Sequence, residues 1–144
     1  MRVLLVEDNG AFALPCRQLL SAVRGVQVVE TAASEQEARD WLQANPDGWD
    51  LVVVDLFLGR GHGFNVLRAC KPRKPMQRAV VLSAYADFTA RQYAVKAGAD
   101  AFFDKTSQLD GLIAFCTRMA GDVYTLGRQD APAAPGAMAG VGPE

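Results

Sequence analysis

Acidic residues follow two of the most apolar stretches of the chain, and a lysine follows a third. Glu7 and Asp8 come directly after VLLV, Asp55 comes after LVVV, and Lys105 comes after AFFD. If the fold brings these positions together, three carboxylates crowd at one place, and their repulsion is costly unless a hard cation lies among them. Magnesium prefers oxygen ligands and is often held by carboxylates together with a phosphate. The residue types therefore indicate a Mg²⁺-dependent phosphoryl-transfer site, with Asp55 as nucleophile and Lys105 as a charge for the phosphoryl oxygens.

Each of these residues also has an ordinary structural interpretation. An acid after a strand often caps a helix, as Asp8 or its neighbour Asn9 would do. Ser83, which follows AVVL, is either a hydroxyl donor to the site or a packing hydroxyl, and Lys105 alone is usually a solvated charge. The joint pattern, with all of them at the ends of apolar runs, is far more specific than any single position.

The elements that must position these residues alternate along the chain. Apolar runs predict five strands at about residues 3–6, 26–32, 50–56, 79–84 and 99–105, and the segments that follow them have helical spacing. This alternation predicts a parallel α/β sheet, with right-handed crossovers placing helices on both of its faces. Open parallel sheets bind ligands beyond the carboxyl ends of their strands, which is where the polar residues fall.

Local signals predict several helix ends. Ser34 and Glu37 have the spacing of a capping box, Asp87 is placed to cap the fourth helix, and Ser107 is placed to cap the last. Gly98 is expected to stop the fourth helix. Pro15 conflicts with a first helix capped by Asn9, so we expect a kink or a regular part that begins near Leu14.

Composition limits the classes of function. The 144 residues include 15 basic and 16 acidic ones, which gives a formal charge of −1 and no footprint for nucleic acid or an anionic membrane. Cys16, Cys70 and Cys116 lack metal-site spacing and are expected to be reduced thiols of a cytoplasmic protein. We expect one domain at residues 1–121 and a C-terminal tail at 122–144, largely disordered beyond residue 127, because the end of the chain is rich in Ala, Gly and Pro.

The segments LLVEDN, VVVDLFLGRGHG, VVLSAY and GADAFFDK closely resemble the receiver domain of two-component response regulators, over about residues 1–120. The resemblance implies a flavodoxin-like, doubly wound sheet with strand order 2-1-3-4-5 and five helices, like that of a stand-alone chemotaxis receiver. It implies that Asp55 is the phosphoacceptor, that Asp8 binds Mg²⁺ directly, and that Glu7 binds it through water. The backbone carbonyl of Phe57 would be a further ligand.

The resemblance also implies a switch. Ser83 takes the place of the switch hydroxyl, Lys105 that of the phosphate-contacting lysine, and Phe102 that of the switch aromatic residue. Phe57 and Tyr85 stand two residues after the phosphoacceptor and the switch hydroxyl, where large rings are expected to obstruct the water that hydrolyses the phosphoryl group.

Two positions depart from the family pattern. Thr106 stands where proline commonly follows the lysine, so the turn into the last helix must be made differently. Gly59 stands after Leu58 where Leu-Pro is common. His62, the single histidine of the chain, is expected to be an exposed loop residue rather than a phosphotransfer residue.

The implied partners are a sensor histidine kinase or histidine phosphotransfer protein and an unknown output protein. The expected output surface is the face of the fourth helix, fifth strand and fifth helix, which is also a possible homodimer interface. Such a receiver is not an enzyme for external substrates and catalyses only its own phosphorylation and dephosphorylation.

Alternatives are the receiver part of a longer regulator, an aspartyl-phosphate phosphatase of the haloacid dehalogenase type, and a flavin-binding module. Phe57 argues against the phosphatase, because such enzymes carry a second aspartate at that position. The acids of EDNGAF argue against the flavin-binding module, because they would repel a phosphate.

Overall fold

Continuous apolar runs form the centre of a five-stranded parallel sheet in the computed structural model, which describes residues 1–129, with side chains described through residue 122. The strand order is β2-β1-β3-β4-β5, which confirms the predicted flavodoxin-like fold. The strands are β1 (Arg2–Val6), β2 (Gln27–Ala32), β3 (Leu51–Val54), β4 (Arg78–Ser83) and β5 (Ala101–Asp104). The helices are α1 (Gly10–Ser21), α2 (Glu35–Ala44), α3 (Gly63–Ala69), α4 (Phe88–Lys96) and α5 (Leu109–Gln129).

The sheet has an apolar core on each face. Side chains alternate along a strand, so Leu4 and Val6 of β1 pack in the cluster of α2, α3 and α4, whereas Val3 and Leu5 pack in that of α1 and α5. Burying each such side chain contributes about 1.5–3 kcal/mol. The edge strand β2 is less buried than the central strands, since only Val28 and Ala32 of its six residues are buried, as its more polar sequence predicts.

The predicted helix ends are confirmed in three cases. Ser34 Oγ accepts the N–H of Glu37 at 3.1 Å, and Asp87 Oδ1 accepts the N–H of Ala90 at 2.8 Å. Gly98, with φ of +105°, ends α4 in a Schellman motif, in which the N–H of Ala99 donates to the carbonyl of Ala94 at 2.9 Å.

Two expectations about helix starts are wrong, namely that the regular part of α1 begins near Leu14 and that Ser107 caps the last helix. The helix α1 begins at Gly10 and contains Pro15, and the alternative expectation, a kink at the proline, stays a prediction. Pro15 cannot donate the backbone hydrogen bond to the carbonyl of Ala11, which lies in the first turn, and the Asn9 cap stabilises that turn. Ser107 does not cap the last helix, because α5 begins two residues later, at Leu109.

The last helix passes the boundary that the composition predicts. It extends from Leu109 to Gln129, beyond residue 121, and the predicted tail from residue 130 onward lies outside the described residues. Within residues 1–129, no helix combines the length and the hydropathy that crossing a membrane requires.

Candidate functional site

Three predicted site residues directly continue strands of the sheet. The N–H of Asp55 donates to the carbonyl of Val6 at 3.0 Å, and the N–H of Lys105 donates to the carbonyl of Ser83 at 3.0 Å. The N–H of Glu7 likewise continues the pairing of β1 with β2. The parallel ladder therefore delivers the side chains that follow β1, β3 and β5 to one edge.

The three predicted carboxylates meet there. Glu7, Asp8 and Asp55 each offer an oxygen atom, and these oxygens lie within 4.8 Å of one another. Glu7 and Asp55 are buried, whereas Asp8 is exposed. Burial raises the pKa of Glu7 above its ordinary value, and hydrogen bonds from Lys105 and Asn9 offset only part of that effect. This donor set consists of hard oxygens around a concentrated negative charge, so it fits a hard divalent cation.

The Lys105 ammonium bridges the two buried carboxylates. Its Nζ lies 2.5 Å from Glu7 Oε1 and 2.9 Å from Asp55 Oδ2. Burial alone would lower the pKa of Lys105, but the hydrogen bonds and charges of Glu7 and Asp55 prevail and raise it. The lysine is therefore a fixed positive charge in contact with the proposed phosphoacceptor.

Backbone donors of the β3–α3 loop hold the carboxylates in place. The N–H of Gly59 donates to Asp8 Oδ2 at 2.6 Å, and the N–H of Phe57 donates to Asp55 Oδ1 at 3.2 Å. A proline at position 59 would lack this donor. Gly63 allows the loop to close tightly, because a Cβ there would lie 2.0 Å from the carbonyl oxygen of Asp55.

The predicted switch hydroxyl is inside the fold. Ser83 is fully buried, and its Oγ accepts the N–H of Tyr85 at 3.2 Å. The rings of Tyr85 and Phe57 contact each other edge to face, with centroids 4.7 Å apart and both rings substantially exposed. The two predicted water-gating residues thus form a single aromatic pair that joins the loops after β3 and β4.

The predicted switch aromatic residue is half-buried. Phe102 packs against the core cluster beneath α4, and the guanidinium of Arg91 lies over its ring at 4.7 Å from the centroid. Arg91 also donates to the carbonyl of Ala86 at 3.0 Å and to Gln108 Oε1 at 2.9 Å. One arginine therefore connects α4, the switch aromatic residue and the residue before α5.

The turn after β5 replaces the missing proline with side-chain hydrogen bonds. Asp104 Oδ1 accepts the N–H of Thr106 at 2.8 Å and its hydroxyl at 2.7 Å. The hydroxyl bond of Thr106 is the main cause that lowers the pKa of Asp104. The N–H of Ser107 donates to the carbonyl of Asp104 at 3.3 Å, so this residue lies in the turn that precedes α5. His62 is exposed, as predicted.

The sequence does not predict two further residues of the site. Gly59 stands out in the sequence only as a departure from the Leu-Pro pattern of the family, and its bond to Asp8 spans 51 residues of sequence. Phe12, one turn into α1, lies against the Lys105 ammonium, with 4.3 Å between Nζ and the ring centroid. Its position three residues after the Asn9 cap was the available signal, since that spacing places it on the face of α1 that starts the core stripe.

Comparisons with known proteins agree with this geometry. The family model of the response regulator receiver domain matches residues 3–117. The photosynthetic apparatus regulatory protein RegA of Cereibacter sphaeroides is 37% identical over 105 residues, which are 72% of this chain and 54% of RegA. The acid tolerance regulatory protein ActR of Sinorhizobium medicae is 31% identical over 120 residues, which are 83% of this chain and 60% of ActR. The chain thus spans little more than half the length of these curated relatives.

Solved structures show the same fold. A response regulator from Burkholderia pseudomallei, crystallised with a phosphorylated aspartic acid, a calcium ion and citrate, is 28% identical with a TM-score of 0.68 and covers 92% of this chain and 75% of its own. The response regulator domain of Thermotoga maritima CheB, at 17% identity, has a TM-score of 0.72, covers 83% of this chain and 96% of its own, and supports the fold alone. The chain belongs to the response regulator receiver domain family.

Proposed function

We propose that this receiver accepts a phosphoryl group on Asp55 in a two-component phosphorelay and signals by protein–protein contact. The observation that carries the proposal is the bridge of Lys105 Nζ to Asp55 at 2.9 Å and to Glu7 at 2.5 Å. Two buried carboxylates, an exposed third one in Asp8 and a fixed ammonium form a site that can accept an anion only with added positive charge.

The chain's own residues supply most of the chemistry. A carboxylate oxygen of Asp55 attacks phosphorus, a new O–P bond forms, and the P–N bond of a donor phosphohistidine breaks. Lys105 then turns its charge toward an oxygen of the transferred group. Glu7, Asp8, Asp55 and the backbone carbonyl of Phe57 would hold Mg²⁺, which, when bound, neutralises charge on the phosphoryl oxygens.

The switch is proposed to couple Ser83 to Phe102. The Ser83 hydroxyl is buried at the end of β4, one residue before the loop that carries Tyr85. Its movement to a phosphoryl oxygen would vacate space for the Phe102 ring to turn inward. Because Arg91 covers that ring, the change would reach α4 and the turn before α5.

The proposed partners follow from the family. The phosphodonor is a sensor histidine kinase or histidine phosphotransfer protein, and the output partner docks on the face of α4, β5 and α5, where a homodimer is also possible. The exposed apolar side chains of Phe88 and Val95 on α4 support this surface. Three free cysteines among the described residues support a reducing, cytoplasmic location.

The division of the chain is also a proposal. We assign residues 1–121 to the receiver and 122–144 to a tail, whose first residues continue α5 as far as Gln129. A second candidate is the receiver part of a longer regulator, which is favoured by the 54% and 60% shares of RegA and ActR that the chain covers. The length of the gene separates the two. A phosphatase of external substrates is disfavoured because the half-exposed ring of Phe57 stands where a general acid would be needed.

The decisive experiment is mass spectrometry after incubation with acetyl phosphate and Mg²⁺. We expect one phosphoryl adduct, located on the peptide that contains Asp55. Asp55→Asn should abolish it, because an amide is not a nucleophile for this transfer. Full labelling of that variant on the same peptide would refute the assignment. Omission of Mg²⁺ in the presence of a chelator is expected to suppress labelling of the wild-type protein.

A further inference from the structure

The Lys105 ammonium is enclosed on three sides. Glu7 and Asp55 accept its hydrogen bonds at 2.5 and 2.9 Å, and the ring of Phe12 covers a third side at 4.3 Å. We propose that Phe12 is a positioning residue of the phosphorylation site, which holds the lysine toward the phosphoacceptor through a cation–π contact. This inference rests on the proposed phosphorylation of Asp55 and deepens it.

The ring is itself fixed by the fold. Phe12 is partly buried and packs against the core cluster of α1 and α5. Its helix is anchored at the site, because Asn9 Oδ1 accepts the N–H of Ala11 at 3.0 Å and the N–H of Asn9 donates to Glu7 Oε2 at 3.0 Å. Glu7 and the aromatic ring are thus parts of one short connected segment. Glu7 and Phe12 both contact Lys105 from the segment in which β1 ends and α1 begins.

A lysine needs such support at this place. Its four-carbon stem is flexible, and ordering it costs side-chain entropy. When Asp55 carries a phosphoryl group, Lys105 must exchange its bond with the carboxylate for one with a phosphoryl oxygen. Phe12 does not take part in that exchange, so its ring can hold the ammonium in place while Lys105 exchanges the carboxylate for the phosphoryl oxygen. The face of an aromatic ring attracts a cation, and more strongly when water is excluded.

A purely structural role for Phe12 makes different predictions. If the ring only fills the core, leucine should serve nearly as well, because apolar substitutions of similar size are tolerated. If the ring acts on Lys105, the aromatic face matters and tyrosine should serve whereas leucine should not. The comparison of Phe12→Leu with Phe12→Tyr therefore separates the two roles, with thermal denaturation confirming that both variants fold.

The first measurement needs no phosphodonor. In the NMR spectrum of the wild-type protein, the Hε protons of Lys105 should be shifted upfield by the ring current of Phe12. Phe12→Leu should abolish that shift and Phe12→Tyr should retain it. Unshifted Hε protons in the folded wild-type protein would overturn the contact, whatever the outcome of the labelling experiment.

The second measurement is the rate of phosphorylation by acetyl phosphate in excess Mg²⁺. Phe12→Leu should slow it by about threefold to tenfold, the range expected for loss of a partly desolvated cation–π contact. Graded ring fluorination of Phe12, introduced at that position alone, should slow the reaction step by step because it weakens the ring quadrupole at nearly constant shape. A rate that is unchanged by fluorination would overturn the proposal.

A double-mutant cycle tests whether Phe12 acts through Lys105. In a Lys105→Met background, Phe12→Leu should leave the rate of labelling, or the affinity for beryllofluoride, unchanged, because the effect needs the ammonium. An equal loss in both backgrounds would assign Phe12 a role in packing only. Absence of any adduct on Asp55 in the wild-type protein would instead refute the proposed function, while the ring-current shift still decides the contact.

Discussion

Substitution Lys105→Met would leave two buried carboxylates without their cation. The side chains of Glu7 and Asp55 are only 2% and 9% exposed, and that of Lys105 is 13% exposed. Breaking a buried ion pair by removing one partner costs about 3–5 kcal/mol, because the remaining charge is uncompensated. Since the lysine retains slight contact with water, we expect the lower end, a loss of about 3 kcal/mol in the free energy of unfolding. Urea denaturation at pH 7 without divalent cations, followed by tryptophan fluorescence, measures it.

The chain offers a matched control. Lys74 pairs with Asp47, but these side chains are 62% and 69% exposed, so Lys74→Met should cost no more than about 1 kcal/mol. Equal losses for Lys74→Met and Lys105→Met would refute the reasoning, because they would show that the buried bridge contributes no more than a surface pair.

The loss should also depend on pH. The pKa of Lys105 is raised above its ordinary value of 10.5, so its stabilisation is fully present below that value and is lost as pH rises through the folded pKa. The raised pKa of Glu7 means that this group destabilises the fold once ionised, so the Lys105→Met variant should regain stability as Glu7 is protonated. The difference in the free energy of unfolding between the wild-type protein and Lys105→Met should therefore become smaller from pH 7 toward acid pH. A constant difference would contradict the assignment of the cost to the carboxylates.

Three other predictions concern the metal, the lifetime of the phosphoryl group and the switch. Asp8→Asn should weaken Mg²⁺ binding by about tenfold or more, measured by calorimetric titration of the unmodified protein, and an unchanged titration would remove Asp8 from the ligand set. Phe57→Asn or Tyr85→Ala should speed loss of the phosphoryl group about threefold or more by opening the path of the in-line water. Equal dephosphorylation rates would show that the rings do not obstruct this water, and slower rates in the variants would show that the rings assist its attack. Beryllofluoride should shift the amide resonance of Phe102, and Arg91→Met should shift it already without ligand. Identical spectra of Phe102 with and without beryllofluoride would refute the coupling to the site.

The sheet could be predicted because burial on both faces leaves a plain signature. The run at β3 is apolar at every position, and the predicted second strand, at residues 26–32, begins one residue before the observed Gln27–Ala32. Where a residue suits both a turn and a helix cap, prediction failed. Ser107 has the residue type of a helix cap, but its N–H donates to the carbonyl of Asp104 at 3.3 Å, and sequence spacing does not decide where this turn ends and α5 begins.

The site was predictable to the level of strand ends and no further. Parallel strands must bring Glu7, Asp55 and Lys105 to one edge, so their proximity follows from topology. The contact of Phe12 with the ammonium depends on the rotation of α1 about its axis, and the bond between Gly59 and Asp8 depends on the path of a loop. Both are set by tertiary packing, which no local periodicity encodes.

The turn between β5 and α5 has a consequence for how this sequence can change. A proline after the lysine would define that turn by a covalent ring, whereas here an ionised carboxylate defines it, through the N–H and hydroxyl of Thr106. Thr106→Pro would restore the usual family residue but remove both donors from Asp104. Positions 104 and 106 are therefore a linked pair, because substitution of one residue alone removes the hydrogen bonds that define the turn. Because the pKa of Asp104 is lowered, the link persists at neutral pH and loosens only as pH falls through that lowered value.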